Sequence, residues 1–281
     1  MFKIVEKKEL APKIKLVRIL APEIAKKARP GQFVILRVDE KGERFPLTLV
    51  DWSPHEGTIC LIFQEIGVST IKLGRLNVGD SVLDLVGPLG RPSEIDRYGT
   101  VAVIGGGVGT ASVYPIAKAL KEAGNRVISI IGARSANLLI LEDEMRQISD
   151  ELFISTDDGT KGYKGFVSDV LNMLIEKGYS FDAVWAVGPA VMMRAVARVT
   201  KSYNIKTIVS LNPIMIDGTG MCGTCRVTVG GETKFVCVDG PEFDAHQVDF
   251  DELIKRQRMY LEEERKALEK FEKQLSGGNS N

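Results

Sequence analysis

The feature that most constrains the fold is a change in hydrophobic rhythm near Arg97. Before it, short apolar or alternating runs are separated by turns rich in glycine and proline, which is typical of antiparallel strands at the spacing of a small barrel. After it, apolar strands alternate with helical segments, which indicates a parallel sheet covered on both faces. The sequence therefore predicts an antiparallel β-barrel domain over residues 1–97 and a parallel-sheet α/β domain over residues 98–211.

The individual elements follow from these runs. In the first region the predicted strands are 14–19, 33–38, 47–50, 58–64 and 81–86, with one short helix over 69–76. In the second region the predicted strands are 101–104, 127–131, 152–155, 183–187 and 207–211, and the predicted helices are 111–122, 138–148, 167–177 and 191–203.

Charge and composition narrow the class of protein. Lys plus Arg equals Asp plus Glu at 37 each, so the chain has no overall basic field to attract nucleic acid or an anionic membrane surface. No run reaches the ~18 apolar residues of a membrane span, and the first residues lack the features of a secretory signal. We expect a cytoplasmic protein that binds neither nucleic acid nor membrane.

Three of the four cysteines, Cys222, Cys225 and Cys237, lie within sixteen residues, in a glycine-rich segment with little helical periodicity. This clustering predicts a metal- or cluster-binding segment over residues 212–248. Beyond it, residues 249–275 carry many charges and an apolar spacing near three and a half, which predicts one long C-terminal helix. Residues 276–281 are expected to be disordered.

A glycine loop follows the first strand of the α/β region. Its residues Gly105, Gly106, Gly107, Val108, Gly109 and Thr110 stand between that strand and a helix. In this setting backbone amides and a helix N-terminus bind a pyrophosphate, although Thr110 stands where a third glycine is usual. The alternative is that the glycines serve only a tight turn.

Two further turns follow strands of the same sheet. Asp157 and Asp158 come after the third strand, and Gly188 and Pro189 after the fourth. Each alone would be an ordinary turn, but carboxyl ends of parallel strands share one edge, so together they predict a dinucleotide crevice. Arg134 ends the second strand and suits the 2′-phosphate of NADP(H), the adenine or the pyrophosphate, so NADH and NADPH both stay open.

The first region carries three short motifs. They are Arg44-Phe45-Pro46-Leu47-Thr48, Gly67-Val68-Ser69-Thr70 and Gly87-Pro88-Leu89-Gly90. Followed by the glycine loop, in this order on a β domain and then an α/β domain, they resemble the ferredoxin–NADP reductase superfamily. The resemblance spans essentially the whole chain.

This resemblance implies FAD lying across the barrel, with the threonine hydroxyl near the flavin N5. Carried over, the flavin contacts are Arg44, Pro46, Leu47 and Thr48, with Thr48 as the catalytic residue. The FAD diphosphate contacts are Gly67, Ser69 and Thr70. The nicotinamide dinucleotide contacts are Gly105, Gly107, Val108, Gly109, Thr110, Arg134, Asp157, Asp158, Gly188 and Pro189.

The cysteine spacing is C-x2-C-x11-C, which lacks one ligand of a four-coordinate site. Plant-type [2Fe–2S] segments run C-x4-C-x2-C followed by a distant cysteine. Asp217 occupies the place of the first cysteine, so the predicted ligands are Asp217, Cys222, Cys225 and Cys237. The alternative is a zinc site that uses the three cysteines and His246, as in a zinc-stapled nucleotide-binding module.

A reductase with such a C-terminal segment resembles two families. One is the electron-transfer subunit of type B dihydroorotate dehydrogenase, in which four cysteines are expected. The other is the small subunit of NADH-dependent ferredoxin:NADP oxidoreductase, also described as the sulfide dehydrogenase beta subunit. Asp217 and the long charged helix favour the second.

The second resemblance implies hydride transfer between NAD(P)(H) and FAD, followed by single-electron transfer through a [2Fe–2S] cluster. The acceptor would be a larger subunit with flavin and iron–sulfur groups, in a heterodimer that reaches ferredoxin. The implied enzyme is an NAD(P)H-dependent ferredoxin or sulfide oxidoreductase. The physiological acceptor, which includes polysulfide, and electron bifurcation stay open.

Overall fold

The computed structural model describes residues 1–277. Residues 278–281, most of the tail expected to be disordered, lie outside this range, and residues 276 and 277 end a helix. Among the described residues, no helix has the length and apolar character needed to cross a membrane. The cytoplasmic location stays a prediction.

The first region consists of antiparallel strands with two short helices. Its elements are β1 (Phe2–Ala11), β2 (Ile14–Leu20), α1 (Pro22–Ala25), β3 (Phe33–Arg37), β4 (Phe45–Thr48), β5 (Asp51–Ser53), β6 (Thr58–Gln64), α2 (Val68–Arg75), β7 (Ser81–Val82) and β8 (Asp84–Leu89). They form a five-stranded sheet, β5-β6-β2-β1-β7, and a three-stranded sheet, β4-β3-β8. Ile4, Val17, Leu36 and Leu61 are fully buried in their shared core.

Strand β1 is absent from the predicted set. Its residues include five Lys and Glu side chains, and only Ile4 and Ala11 are buried. A strand that buries so few side chains gives almost no apolar alternation, because most of both faces meets solvent. Its pairing with β2 and β7 therefore depends on the backbone ladder more than on the apolar pattern.

The second region alternates strands and helices as predicted. Its elements are β9 (Thr100–Gly106), α3 (Gly109–Glu122), β10 (Arg126–Ala133), α4 (Glu142–Ile148), β11 (Glu151–Thr156), β12 (Tyr163–Lys164), α5 (Val167–Glu176), β13 (Ala183–Val187), α6 (Ala190–Ser202) and β14 (Lys206–Ser210). The parallel order is β12-β11-β10-β9-β13-β14. Along β9, Val101 and Val103 pack with α3 and α4, whereas Ala102 and Ile104 pack with α5 and α6.

One predicted helix, 138–148, is wrong in its first part. A short 3-10 helix covers Ala136–Leu138, and α4 begins only at Glu142. Between them Leu139 is extended and Leu141 has a left-handed backbone with φ of 54°. Ile140 is buried against Val50 and Ile62 of the antiparallel region, so tertiary packing overrides the helical pattern.

The last region combines the cysteine segment with the C-terminal helices. Its elements are β15 (Arg226–Val229), β16 (Glu232–Phe235), α7 (Val236–Asp239), β17 (Glu242–Asp244), α8 (Phe250–Gln257) and α9 (Leu261–Gly277). Strand β17 pairs antiparallel with β14 and so extends the parallel sheet. The segment is therefore joined to the α/β region by backbone hydrogen bonds.

The predicted single C-terminal helix is in fact two helices, separated by a turn over residues 258–260. Phe250 and Leu253 of α8 are buried, and Arg256 donates to the carbonyl oxygen of Thr224 at 3.0 Å. Helix α8 thus packs on its own chain. Helix α9 is mostly exposed and approaches α2.

Candidate functional site

The glycine loop lies at the point where the order of the parallel strands reverses. Strand β9 lies between β10 and β13. The strands that follow it in the chain, β10 to β12, lie on one side of it, and β13 and β14 lie on the other side. Open α/β sheets bind ligands in the crevice at the carboxyl ends of the strands at such a point. Gly105 and Gly106 end β9, Gly107 and Val108 form the turn, and Gly109 begins α3.

The glycines of this loop have different roles. A Cβ at Gly109 would collide with the carbonyl oxygen of Val187, and one at Gly105 would lie 2.6 Å from the Cα of Thr110. Both therefore allow close packing of backbone. Gly107 has φ of +57°, and a Cβ there would meet open space. The space beside Gly107 is thus open, which fits the approach of a phosphate group to the start of α3, while the Gly107 amide itself donates to the carbonyl oxygen of Gly132 at 2.7 Å.

The turns after β10 and β11 form one wall of this crevice. The amide of Asp158 donates to the carbonyl oxygen of Arg134, and the amide of Asp157 donates to that of Ala133, both at 3.1 Å. The hydroxyl and amide of Thr160 donate to the Asp158 carboxylate and lower its pKa. The side chains of Arg134 and Asp157 are exposed.

Gly188 and Pro189 follow β13 on the other side of β9. A Cβ at Gly188 would lie 2.8 Å from the Cε of Met192. The Met192 side chain of α6 thus packs closely on Gly188, and Pro189 precedes the first residue of that helix. The structure brings this turn and the glycine loop together, since a Cβ at Gly188 would also lie 3.2 Å from the carbonyl oxygen of Gly106.

The predicted flavin residues lie on β4 and just before it. Arg44 is exposed, whereas Pro46, Leu47 and Thr48 are half-buried in β4, which pairs with β3. Arg44 has no ion pair with any side chain in residues 1–277. Its guanidinium is therefore free for an anionic ligand.

The predicted diphosphate residues lie at the start of α2. The Thr70 hydroxyl accepts from the amide of Gly67 and donates to its carbonyl oxygen, at 3.1 and 3.0 Å. Thr70 therefore caps the helix with its side chain. A Cβ at Gly67 would meet nothing within 4 Å, and the Ser69 hydroxyl lies 3.5 Å from the Glu43 carboxylate. The open space beside Gly67 and the helix start fit a diphosphate.

A hydrogen bond joins the two regions beside these sites. The Ser112 hydroxyl, in the first turn of α3, donates to the Thr48 hydroxyl at 3.0 Å. Sequence reasoning missed Ser112. Its signal was a hydroxyl side chain three residues after the last loop glycine, at the start of the helix that follows the loop.

The cysteines are only partly brought together. The sulfur atoms of Cys225 and Cys237 are buried and 3.3 Å apart, whereas Cys222 is exposed in the loop before them. Burial and the neighbouring Cys225 raise the pKa of Cys237 to about 12, while hydrogen bonds from Thr224 lower that of Cys222. Across residues 1–277, no three His, Cys, Asp or Glu side chains converge as a preformed metal site.

Asp217 and His246, the two candidates for a fourth ligand, differ in position. The Thr219 hydroxyl and amide and the Met221 amide donate to one carboxylate oxygen of Asp217, which lowers its pKa and leaves Oδ1 free of these bonds. The His246 ring instead pairs with the Thr200 hydroxyl at 3.0 Å. Soft thiols with one accessible carboxylate oxygen fit an iron–sulfur cluster, and His246 is engaged elsewhere.

A carboxyl group on β17 is a second feature that sequence reasoning missed. Glu242 Oε1 accepts from the Ser93 hydroxyl at 2.6 Å, and a Cβ at Gly31 would lie 3.3 Å from the same oxygen. Burial raises the pKa of Glu242 to about 7. This carboxyl thus lies where the cysteine segment, the linker at Ser93 and the antiparallel region meet.

Comparison with known proteins supports the iron–sulfur reading of the cysteine segment. Residues 212–249 match the model of the iron–sulfur cluster binding domain of dihydroorotate dehydrogenase B. A Thermotoga maritima protein, described as a homolog of the electron transfer subunit of dihydroorotate dehydrogenase B (NAD(+)), is 50% identical over 268 residues. The match covers 95% of this chain and 94% of that protein.

Solved structures support the fold over almost the full length. A chain of the NADH-dependent reduced ferredoxin–NADP oxidoreductase, studied for flavin-based electron bifurcation, is 49% identical with a TM-score of 0.92. The match covers 96% of this chain and 98% of that one. An Amycolatopsis cytochrome P450 reductase, 23% identical with a TM-score of 0.61, shares the fold over 72% of this chain and 65% of its own.

These comparisons confirm the resemblance stated from the motifs and the predicted fold class, an antiparallel region followed by a parallel-sheet region. They also confirm the predicted cofactor set of FAD, a [2Fe–2S] cluster and a nicotinamide dinucleotide. The roles of individual residues stay predictions.

Proposed function

The chain belongs to the family of electron-transfer subunits found in dihydroorotate dehydrogenase B and NADH-dependent ferredoxin–NADP oxidoreductase, and we propose a specific role for it within that family. It exchanges a hydride between a nicotinamide dinucleotide and FAD and passes single electrons through a [2Fe–2S] cluster to a larger partner subunit. The complex is a ferredoxin:NAD(P) oxidoreductase.

The chain's own residues bind and orient the cofactors in this proposal. When bound, FAD links two-electron hydride chemistry to the one-electron chemistry of an iron–sulfur cluster. The glycine loop and the start of α3 bind the dinucleotide phosphates, while Arg44 and the start of α2 bind the FAD diphosphate. The hydroxyl of Thr48 is the catalytic group that hydrogen-bonds the reacting face of the flavin.

The observation that carries the proposal is the packing of the cysteine loop on the flavin strands. A Cβ at Gly218 would lie 2.6 Å from Ile35 and 2.9 Å from Leu89, so the loop contacts β3 and β8 directly. Ile35 pairs with Pro46 of β4, the strand that carries the predicted flavin residues. A cluster beside Asp217 would therefore be close to FAD on β4, which electron transfer requires.

The outer side of the cysteine loop suits a protein partner. Met221, the residue before the exposed Cys222, is 87% exposed, and Ile216 in the same loop is 51% exposed. Exposed apolar side chains in one loop beside a functional group are typical of an interaction site. This supports docking of the larger subunit over the loop, and ferredoxin is then reached through that subunit.

The test is to express the full chain without its larger partner subunit, so that every cofactor found belongs to this chain, and to measure its flavin, iron and zinc content, its absorption spectrum and the reduction of its flavin. Flavin absorption at about 450 nm, two irons per chain and reduction of the flavin by NADH or NADPH would support the proposal. A colourless protein that contains zinc would overturn it in favour of a zinc-stapled nucleotide-binding module.

Dihydroorotate dehydrogenase B is the second candidate, because its domain model matches residues 212–249. In that case the complex would oxidise dihydroorotate with reduction of NAD(+). The proposed complex would instead transfer electrons between NADH, NADP and ferredoxin, or to polysulfide. Assaying both reactions on one preparation separates the two.

A further inference from the structure

Helix α3 has two neighbours at once. Its first turn carries the glycine loop, while Val108, Ala111 and Tyr114 pack with Val50 and Ile62 of the antiparallel region. The N-terminal part of α3 therefore faces both the dinucleotide crevice and the part of the antiparallel region that follows the flavin residues. A movement of α3 would shift the end of β4, because α3 packs on Val50 and Thr48 lies only two residues before Val50.

The Ser112–Thr48 hydrogen bond lies at this contact. Ser112 Oγ donates and Thr48 Oγ1 accepts at 3.0 Å. The hydroxyl hydrogen of Thr48 must then point away from Ser112, and within residues 1–277 it has no acceptor. A half-buried hydroxyl that accepts from one partner keeps its own hydrogen to donate, and the bond from Ser112 restricts the directions in which that hydrogen can point.

We propose that Ser112 is a positioning residue that orients the Thr48 hydroxyl, so that its hydrogen is directed to an acceptor atom of the ligand bound between the two regions. This inference rests on the proposed function, in which that ligand is the flavin ring of FAD. Ser112 acts through Thr48 and not by direct contact with the ligand. It ties the geometry of the dinucleotide helix to the donor on β4.

The test is a double-mutant cycle on the cofactor-loaded chain. In Ser112→Ala, the limiting rate of flavin reduction at saturating dinucleotide falls about three- to tenfold, the effect of one lost neutral hydrogen bond. The dissociation constant of the dinucleotide stays within about twofold. In Thr48→Ala the rate falls at least as far, and adding Ser112→Ala to it changes nothing more, because the two residues act as one unit.

A second measurement is independent of turnover. Each single substitution lowers the melting temperature by about 2 °C. The double variant melts no lower than the less stable of the two single variants. Ser202→Ala is the matched control, since within residues 1–277 the Ser202 hydroxyl on α6 donates just to the Arg198 carbonyl oxygen of its own helix. Ser112→Thr keeps the hydroxyl, so its flavin is expected to be reduced at the wild-type rate.

The outcomes are distinguishable. A Ser112→Ala variant that holds FAD and is reduced at the wild-type rate overturns this inference and leaves the proposed function intact. Additive effects of the two substitutions, or a slow Ser112→Thr variant, overturn it as well. A wild-type chain without flavin overturns the proposed function itself.

Discussion

The glycine loop and the cysteine loop are both rich in glycine, yet only the first is complete as a binding site. At the glycine loop the backbone supplies the site, and Gly107 is open beside a helix start. At the cysteine loop the side chains must supply it, and only Cys225 and Cys237 are in contact. A backbone site is formed by the sheet and helix that hold it, whereas a site of four ligand side chains depends on the metal to gather them.

The sharpest test of this comparison is the fourth ligand of the cluster. Asp217→Ala should lose or destabilise the [2Fe–2S] signal in electron paramagnetic resonance, because the proposed ligand is removed. Asp217→Cys should keep a signal of altered shape, since a thiolate donates more electron density than a carboxylate. Flavin binding should stay unchanged in both variants.

Two controls frame the Asp217 result. Cys225→Ser removes a proposed ligand in contact with Cys237 and should abolish the signal completely. His246→Ala should leave it unaltered, because the His246 ring pairs with Thr200. An altered spectrum in His246→Ala, with wild-type spectra in both Asp217 variants, would move the fourth ligand to His246.

Two alanine substitutions can separate the packing role of the glycine loop from its role in dinucleotide binding. Gly109→Ala drives a Cβ into the carbonyl oxygen of Val187 and should lower the free energy of unfolding by about 3 kcal/mol. The Cβ of Gly107→Ala meets open space, and the one unfavourable feature is the backbone φ of +57°. The free energy of unfolding should therefore fall by about 1 kcal/mol. Gly107→Ala should nevertheless weaken dinucleotide binding. Chemical denaturation and titration of the dinucleotide give the two quantities, and equal unfolding costs would contradict the assignment of roles.

The same contrast decides what the sequence can predict. The parallel strands and most helices can be predicted from periodicity, because the buried apolar residues of an element such as β9 or α5 lie close together in the sequence and form a recognisable pattern. Strand β1 buries too few side chains to show it, and the three-residue strand β17 depends on pairing with β14. The Ser112–Thr48 and Ser93–Glu242 bonds join residues 64 and 149 positions apart, so only the folded chain reveals them.

Glu242 links the two regions and makes their attachment sensitive to pH. Burial and the nearby charge of Glu94 raise its pKa to about 7, from an ordinary value of 4.5. Between these values the folded chain holds a proton that the unfolded chain has lost, so the free energy of unfolding falls as pH rises from about 4.5 to 7. The loss is about 2 kcal/mol, reduced from the full shift because the side chain is partly exposed.

The matching variants are Glu242→Gln and Ser93→Ala. Glu242→Gln cannot ionise, so its stability should not decline over that pH range. Ser93→Ala removes the hydroxyl that lowers the Glu242 pKa, so the decline should extend to higher pH. Denaturant unfolding at several pH values measures both, and an unchanged decline in Glu242→Gln would assign it to another group.

The smallest effect on the chain itself is expected from removal of α9. Deletion after Tyr260 removes a helix whose residues 261–276 are exposed apart from the partly buried Leu268, Phe271 and Leu275, so the flavin and cluster content should stay unchanged. We expect instead the loss of co-elution with the larger subunit, because a charged helix with a narrow apolar stripe is stabilised by a partner.

A longer deletion provides the contrast. Deletion after Asp249 also removes the buried Phe250 and Leu253 and the Arg256 bond to Thr224, so it should release the cluster while FAD stays bound. Helix α9 approaches α2, the helix proposed to bind the FAD diphosphate. If deletion after Tyr260 released FAD, α9 would be a support of the flavin site, and its proposed role in docking the partner would be wrong.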